Sequence, residues 1–244
     1  MKNIINFLIN NTEKVKINSK DITKGDIFVT LPGGKKNSSN YILDAIQNGA
    51  KFIITDIKNK KNKFDDKIFF VDNVIIFLHD IAIKKRELFK GQVIGITGSI
   101  GKTSVKENLN YFLSKNYKVS YSIKSYNNYL GVIISLLNMN LKANYSIFEL
   151  GTNDFLEIRK LTLLVKPDQT IITNIYPTHL EKLINTSNIA IEKSDIFNKK
   201  YNRNVELAIL PNNNIDEKKL IKIAKNQNLK RIITFGKDLK SDLL

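Results

Sequence analysis

A glycine-rich stretch near the middle of the chain places the strongest constraint on its fold. Residues 93–104 read Val-Ile-Gly-Ile-Thr-Gly-Ser-Ile-Gly-Lys-Thr-Ser, so a short apolar run leads into a glycine turn that ends in Gly-Lys-Thr. The run 93–97 is typical of a buried parallel strand, and residues 103–113 have helical spacing. Gly98 and Gly101 allow the backbone N–H groups of the turn to point inward. The stretch therefore predicts a strand, a phosphate-binding loop and a helix, in that order.

Such a loop is suited to a nucleoside triphosphate and its divalent cation. Its N–H groups and the positive end of the helix solvate phosphate charge, the Lys102 ammonium can reach the β and γ oxygens, and the Thr103 hydroxyl can bind Mg²⁺. The strict spacing of the motif is not met, because Gly95 stands one place too early. An ordinary glycine turn therefore stays open as the alternative. The predicted ATP-binding residues are Gly98, Ser99, Gly101, Lys102, Thr103 and Ser104.

Composition limits the classes of protein to which the chain can belong. The 244 residues are 42% hydrophobic, which is enough for one large or two modest globular domains. Cysteine is absent, which excludes disulfides, thiolate catalysis and Cys-ligated zinc. The first ten residues lack the small-residue cleavage site of a signal peptide, and no apolar run approaches the length that spans a bilayer. We therefore expect a soluble cytoplasmic protein with no membrane insertion.

The formal net charge of +16 raises the question of a nucleic-acid partner. The lysines are spread over the whole chain, and no aromatic residues alternate with the richest patch, which is Lys58, Lys60, Lys61 and Lys63. A solvated basic surface is the favoured interpretation, and it also attracts polyanionic small molecules such as nucleotides. We therefore expect no nucleic-acid partner, and a basic nucleic-acid-binding module stays open as the least favoured hypothesis.

The order of predicted elements indicates an α/β protein with two domains. Residues 1–73 form a small N-terminal α/β domain in this interpretation, and residues 74–244 form a mostly parallel open sheet with helices on both faces. Ligands of such sheets bind at the carboxyl ends of the strands. The predicted strands span 26–30, 51–55, 68–71, 93–97, 118–122, 145–150, 169–174, 206–210 and 231–235. The predicted helices span 4–10, 41–47, 74–89, 103–113, 129–138, 157–164, 188–198 and 216–226. A turn is predicted at 32–34.

Two polar side chains fall where strands of this sheet should end. Glu149 closes the apolar run 145–148, and a carboxylate at that point can reach a metal beside the phosphate loop. His179 follows the strand over 169–174, where a neutral imidazole is suited to bind Mg²⁺ or a substrate. A satisfied loop histidine is the alternative for His179.

Five segments, in order along residues 93–197, resemble motifs of the Mur ligases. They are GITGSIGKTSVKENL, SYNNYLGV, IFELGTNDFLEI, KPDQTIITNIYPTHLE and IEKSDIF. The turn ELGTN is most similar to that of the MurF type, UDP-N-acetylmuramoyl-tripeptide:D-alanyl-D-alanine ligase. The N-terminal run NSKDITKGDIFVTLPGG resembles the UDP-sugar-binding domain of the same family less closely. The resemblance implies a P-loop-type central domain, incomplete in this sequence, after that small domain.

The resemblance implies a reaction in which ATP phosphorylates the terminal carboxylate of UDP-N-acetylmuramoyl tripeptide, and the amine of D-Ala-D-Ala then displaces phosphate to form an amide. It implies that Lys102 stabilises the γ-phosphoryl group and that Thr103 and Glu149 bind one Mg²⁺. His179 would help to bind a second ion. Lys193 matches the position of a carbamylated, Mg²⁺-binding lysine of the family, although without the resemblance it is interpreted as a surface lysine of a helix. The predicted catalytic residues are thus Lys102, His179 and Lys193. The predicted substrate-binding residues are Ser19, Asn127 and Asn128. A turn is the plain interpretation of the two asparagines.

The chain departs from the family in sequence and in length. Asn18 and Lys20 stand where an Asp and an Arg are usual, and a lysine cannot reproduce bidentate guanidinium contacts with the uridine nucleotide. The C-terminal domain that closes over ATP in the family is expected to be absent. Two hypotheses follow. The chain is the N-terminal and central part of an ATP-dependent ligase, or it is a shortened, non-catalytic nucleotide-binding protein to which a partner chain supplies the missing domain.

Overall fold

Two compact units make up the fold. The first contains Met1–Leu88 and Leu136–Leu141, and the second contains Phe89–Ser135 and Lys142–Leu244. The predicted turn at 32–34 and the lysine patch at 58–63 lie outside the described residues. In the part of the chain that is described, no helix is long and apolar enough to cross a membrane. The computed structural model describes residues 2–31, 38–57, 66–122, 125–237 and 239–243.

The first unit is built on a parallel sheet of four strands. Short runs rich in β-branched and aromatic residues form its inner strands, and their inward side chains pack against the second helix. Its elements are α1 (Lys2–Asn10), β1 (Val15–Lys16), a 3₁₀ turn (Ser19–Asp21), β2 (Ile27–Val29), α2 (Ser38–Gln47), β3 (Phe52–Thr55), β4 (Ile68–Phe70) and α3 (Val74–Leu88). The strand order is β1-β2-β3-β4. The core cluster consists of Ile22, Phe28, Ile42, Ala45, Ala50, Ile53 and Ile68.

The boundary between the units lies after Leu88, whereas the sequence predicted it near residue 73. Helix α3 belongs to the first unit because it packs against α1. The buried Lys85 of α3 donates hydrogen bonds to the carbonyl oxygens of Leu8 at 3.4 Å and Asn11 at 2.7 Å. The apolar pattern of a helix indicates that one of its faces is buried, but it does not indicate which element covers that face. The sequence therefore offered no reason to place α3 in the first domain, and the helix was assigned to the second.

A return segment, Leu136–Leu141, completes the first unit. The carbonyl oxygen of Leu137 accepts a third hydrogen bond from Lys85 Nζ, at 2.6 Å. The side chain of Asn138 pairs with the edge strand β1, since its Oδ1 accepts from Val15 N at 2.8 Å and its Nδ2 donates to Val15 O at 2.9 Å. One side-chain amide thus satisfies both backbone groups of Val15, as a neighbouring strand would.

The second unit is built on a parallel sheet of six strands. Its elements are β5 (Gln92–Thr97), α4 (Lys102–Leu113), β6 (Val119–Tyr121), α5 (Tyr129–Asn138, ending in the return segment), β7 (Tyr145–Glu149), α6 (Glu157–Val165), β8 (Gln169–Ile172), α7 (Leu180–Leu183), α8 (Thr186–Ser194), a 3₁₀ turn (Asp195–Phe197), β9 (Leu207–Pro211), α9 (Ile215–Lys225) and β10 (Arg231–Phe235). The strand order is β10-β9-β8-β5-β7-β6. Strand β5 is therefore central, with β7 and β8 on either side of it.

The apolar sequence of β5 explains its central place. Ile94 and Ile96 are buried together with Ile147 of β7, and the inward face of α4 covers this cluster. Ile96 is paired with Glu149 of β7 and with Ile171 of β8, so the three strands end at the same edge of the sheet. That edge is where the sequence placed the ligand.

The α/β class and the parallel sheet predicted from the sequence are confirmed. Strand β8 ends at Ile172 rather than at residue 174, and the side chains of Thr173 and Asn174 bind the glycine turn. The two-residue strand β1 and the four-residue helix α7 were not predicted, since neither is long enough to show a periodicity.

Candidate functional site

The glycine turn after β5 has a backbone that glycine alone adopts readily at two positions. Gly98 has φ 146° and Gly101 has φ 85°. A Cβ added at Gly98 would overlap Thr173 Oγ1, so the turn and the end of β8 lie in close contact there. Gly101 begins α4 and has no side chain that could cap the helix. The first N–H groups of α4 therefore remain available for a bound anion.

The end of β8 holds the tip of the turn. Asn174 Oδ1 accepts the N–H of Ile100 at 2.9 Å, and Asn174 Nδ2 donates to the carbonyl of Ile100 at 2.9 Å. Thr173 Oγ1 donates to the same carbonyl at 2.6 Å. Ser99 Oγ donates to the carbonyl of Tyr176 at 3.0 Å and accepts from its N–H at 3.0 Å. These bonds fix the shape of the turn.

Lys102 lies over the inside of the turn. Its Nζ donates to the carbonyl oxygens of Gly98 at 2.8 Å and Ser99 at 3.2 Å. Burial lowers the pKa of Lys102, while the nearby Glu149 carboxylate acts in the opposite direction. The ammonium is thus held at the mouth of the loop, where the phosphate groups of a nucleotide would compete for it.

The carboxylate of Glu149 is 2% exposed and lies at the start of α4. Thr103 Oγ1 donates to Glu149 Oε2 at 2.8 Å, and Asn127 Nδ2 donates to Glu149 Oε1 at 2.8 Å. A Cβ at Gly151 would press on the Asn127 side chain, so the turn after β7 is fitted closely to this amide. The structure therefore brings together Thr103 and Glu149, which the sequence predicted as metal ligands, and adds Asn127 as the partner that orients the carboxylate.

Lys193 is 2% exposed, so it is not the surface lysine that the pattern of α8 indicates. Burial, which is the larger cause, and the nearby Lys102 ammonium together lower its pKa to about 7, while Glu192 acts in the opposite direction. Lys193 and Lys102 therefore lie close enough to interact electrostatically. The role of Lys193 as a carbamylated ligand of Mg²⁺ stays a prediction.

The remaining predicted metal-binding and substrate-binding residues of the second unit are His179 and Asn128. His179 is exposed, starts α7 with φ 55°, and follows Thr178, whose hydroxyl is 3.4 Å from Ser99 Oγ. Asn128 Oδ1 accepts the N–H of Gly131 at 2.8 Å and so caps α5. Among the described residues, no group of three or more His, Asp or Glu side chains could hold a metal ion. A metal at Glu149 would therefore take its other ligands from hydroxyl, water and phosphate oxygens.

The predicted Ser19 lies in the first unit, in the wall of a cavity of about 410 Å³. It is 3% exposed, and its carbonyl oxygen accepts a hydrogen bond from Asn48 Nδ2 at 3.0 Å. The cavity has an aromatic, an ammonium and several hydroxyl groups in its wall, a combination that can hold a polar ring and an anion. Its lining residues are Ile17, Asn18, Ser19, Lys20, Phe28, Thr30, Leu31 and Tyr41.

Residues 96–244, which include the loop, Glu149 and Lys193, match the Mur ligase middle domain. The chain belongs to the Mur ligase family. The UDP-N-acetylmuramoyl-tripeptide–D-alanyl-D-alanine ligase (MurF) of Rickettsia prowazekii is 39% identical over 231 residues, which are 95% of this chain and 51% of the relative. The enzyme of the same name from Buchnera aphidicola subsp. Acyrthosiphon pisum is 33% identical over 184 residues, 75% of this chain and 40% of the relative. The resemblance to the MurF type is confirmed.

Solved structures of MurF share the fold of this Mur ligase chain. MurF from Acinetobacter baumannii superposes with a TM-score of 0.73 at 27% identity and covers 92% of this chain and 48% of its own. MurF from Thermotoga maritima, solved in complex with ADP, superposes with a TM-score of 0.74 at 28% identity. The superposition covers 95% of this chain and 51% of the Thermotoga maritima chain. The chain thus spans about half the length of the relatives it matches.

Two polar residues of this Mur ligase site were missed in the sequence. Asn174 was taken as part of a strand, although an Asn at the carboxyl end of a strand beside the phosphate loop is a signal for a loop contact. Glu192 was passed over because it stands beside Lys193 in what looks like the polar face of a helix. Its carboxylate is 2% exposed, and burial raises its pKa.

Proposed function

We propose that the chain is the N-terminal and central part of an ATP-dependent ligase of the MurF type, acting in the cytoplasm. In this proposal it binds ATP with Mg²⁺ and the nucleotide-linked tripeptide, UDP-N-acetylmuramoyl tripeptide, to which D-Ala-D-Ala is joined in peptidoglycan precursor synthesis. The observation that carries the proposal is the Thr103–Glu149 pair at 2.8 Å, directly behind a glycine turn that holds the Lys102 ammonium. The names of the relatives support the choice of substrates.

The second unit supplies the groups that phosphoryl transfer needs. The N–H groups at the start of α4 would bind phosphate oxygens, and Lys102 would leave the carbonyls of Gly98 and Ser99 to bind the γ-phosphoryl group. Because Asn174 already holds the turn open, little reorganisation is needed on binding. Catalysis of this kind depends on positioning and charge neutralisation, and both come from side chains that the fold fixes in advance.

The residues around Glu149 fit a magnesium ion. The hydroxyl of Thr103 and the carboxylate of Glu149 are hard oxygen donors of the kind that Mg²⁺ prefers, and they lie side by side. Bound there, Mg²⁺ would neutralise charge on the phosphate oxygens. His179 would contribute to a second ion, together with a carbamylated Lys193, because the nearby Lys102 ammonium favours an anion at this position.

The cavity of the first unit is the candidate site for the UDP end of the peptide substrate. Ser19 and Lys20 lie in its wall, and the ring of Tyr41 lies at its rim. Lys20 would bind a phosphate oxygen as a single point charge, where the family uses a guanidinium. We infer that the nucleotide end of the substrate is bound here by an ammonium and hydroxyl groups.

The test of the nucleotide site compares Lys102, at the start of α4, with Lys115, just beyond its end. Lys102→Ala should weaken ATP binding in the presence of Mg²⁺ by roughly 10- to 100-fold, because one charge-assisted hydrogen bond is lost. Lys115→Ala, an exposed lysine beyond the end of the same helix, is the control and should bind as the unmodified chain does. Isothermal titration measures the three affinities. Equal affinity of the Lys102→Ala chain would exclude Lys102 from the site.

A second measurement separates the ligase from a non-catalytic nucleotide-binding protein. Phosphate release from ATP is followed after addition of UDP-N-acetylmuramoyl tripeptide and D-Ala-D-Ala, with the new amide product measured by chromatography. Release that depends on both substrates supports the ligase. Nucleotide binding with no substrate-dependent release would favour the shortened, non-catalytic protein instead.

A further inference from the structure

The buried carboxylate of Glu192 lies beside the candidate site but takes no part in the proposed chemistry. Glu192 is on α8 immediately before Lys193 and is 2% exposed. Its Oε2 accepts the N–H of Leu156 at 2.7 Å, and its Oε1 accepts the N–H of Ile158 at 2.8 Å. The hydroxyl of Thr152 lies 3.5 Å from the same Oε1. That hydroxyl donates to the carbonyl oxygen of Asp154 at 2.7 Å, so the two N–H groups are the main donors to the carboxylate. All of these groups belong to one stretch, residues 152–158, which leads from β7 into the first turn of α6.

The 152–158 stretch cannot satisfy these backbone groups by itself. Leu156 precedes α6 with φ 68°, and its side chain has no acceptor that could cap the helix. Ile158 lies in the first turn of α6, where the N–H groups have no partner within the helix. Glu192 supplies both acceptors from a different helix. Hydrogen bonds from backbone N–H groups to a buried carboxylate are strong, so the stretch is held firmly against α8.

This contact connects two parts of the candidate site. The 152–158 stretch continues directly from the end of β7, where Gly151 N donates to the carbonyl of Asn127 and Asn127 orients the Glu149 carboxylate. The other end of the contact is the residue next to Lys193. A shift of the Glu192 carboxylate would therefore move Glu149 and Lys193 relative to each other.

We propose that Glu192 is a positioning residue that sets the separation of Glu149 and Lys193, which belong to the two proposed Mg²⁺ positions, and so the geometry of metal binding. The inference rests on the proposed function, because it requires Mg²⁺ at Glu149. In Glu192→Gln the shape is kept, but an NH₂ group faces one of the two backbone N–H groups, so at least one hydrogen bond is lost. Losing a residue that supports metal ligands typically weakens metal binding by about 10- to 100-fold.

The test compares two single variants of this chain, Glu192→Gln and the control Asp168→Asn. Asp168 Oδ2 accepts the N–H of Val93 at 2.8 Å, at the opposite end of the sheet, so this control also replaces a carboxylate that binds a backbone N–H. The first readout is the Mg²⁺ concentration that gives half-maximal ADP binding. The second is the rate of amide hydrogen exchange at Leu156 and Ile158.

Glu192→Gln should raise the half-maximal Mg²⁺ concentration by about tenfold or more and leave the affinity for metal-free ADP within about twofold. Exchange at the two amides should accelerate by about tenfold or more, since their acceptor is weakened. Asp168→Asn should change neither readout. A merely structural role for Glu192 would instead weaken ADP binding with and without Mg²⁺ alike.

An unchanged Mg²⁺ dependence in Glu192→Gln overturns the proposal, and so do equal losses in Glu192→Gln and Asp168→Asn. If the unmodified chain binds no ADP with Mg²⁺, the proposed function fails, and exchange at Leu156 and Ile158 still decides whether Glu192 holds the stretch. If Glu192→Gln does not fold, Glu192→Asp is measured in the same way, since it keeps the charge on a shorter side chain. An unchanged Mg²⁺ dependence of Glu192→Asp, or losses equal to those of Asp168→Asn, would then overturn the proposal.

Discussion

The buried lysine of α3 offers a sharp test of how the first unit is held together. The Lys85 side chain is 0% exposed, and burial lowers its pKa from 10.5 to about 7. Its Nζ donates to the carbonyl oxygens of Leu8, Asn11 and Leu137, and these bonds favour the charged form. Three neutral acceptors replace only part of the hydration that an ammonium loses on burial, so the neutral amine gains relative to the ammonium.

The sign of the pH dependence follows from the direction of this shift. Because the folded pKa lies below 10.5, the unfolded chain binds more protons than the folded chain between pH 7 and 10.5. The free energy of unfolding therefore rises with pH through this window, and Lys85 contributes no pH dependence well below pH 7, where both states are charged. Each pH unit inside the window changes the equilibrium by up to tenfold, so raising the pH from 7 to 9.5 adds about 3 kcal/mol.

The assay is a comparison of Lys85→Met with Lys84→Met. Both variants lose one ammonium from the same helix, but Lys84 is exposed. Urea unfolding is followed at several pH values between 7 and 9.5 through methyl signals of the buried isoleucines of the first unit. We expect the Lys84→Met chain to gain about 3 kcal/mol over the Lys85→Met chain across this range. A difference that stays constant with pH would refute the reasoning, because it would mean that Lys85 remains charged in the folded chain.

Two further predictions concern the glycine turn. Asn174→Ala should weaken ADP binding by about tenfold, since the N–H of Ile100 loses its side-chain partner and its carbonyl keeps only Thr173 Oγ1, so the turn is held less firmly; titration of the folded variant measures this, and unchanged affinity would contradict it. Gly98→Ala should lower the free energy of unfolding by about 2 kcal/mol or more, because of its φ of 146° and the overlap with Thr173 Oγ1. Adding Thr173→Ala should restore part of that loss in urea unfolding, and no recovery would argue against the overlap as its cause.

The sequence allowed the second unit to be predicted well because its signals are local. The apolar run of β5, the glycine turn and the amphipathic α4 follow one another without interruption, so each predicts the place of the next. Glu149 could be predicted for the same reason, since it ends a strand beside β5. The contact of Glu149 with Thr103 follows from the order of strands and helices alone.

The burial of Glu192 and Lys193 could not be predicted in this way. The helix α8 reads Thr-Ser-Asn-Ile-Ala-Ile-Glu-Lys-Ser, and its charged end is typical of a solvated face. Its burial depends on the 152–158 stretch, which is far away in sequence and covers the helix end only in the folded chain. The contact of Asn174 with Ile100 is likewise long-range, so the sequence pattern continued β8 through it. Side chains that bridge distant segments carry no periodic signal.

The pairing of Asn138 with Val15 has a practical consequence for anyone who wishes to study the first unit in isolation. A polypeptide ending at residue 88 would retain all four strands of the small sheet, yet the outer edge of β1 would be bare and the Lys85 ammonium would lack one of its three acceptors. Such a piece would expose a strand edge open to pairing with other chains. Joining residues 136–141 to residue 88 through a short linker would be the more promising way to obtain the first unit as a separate, stable domain.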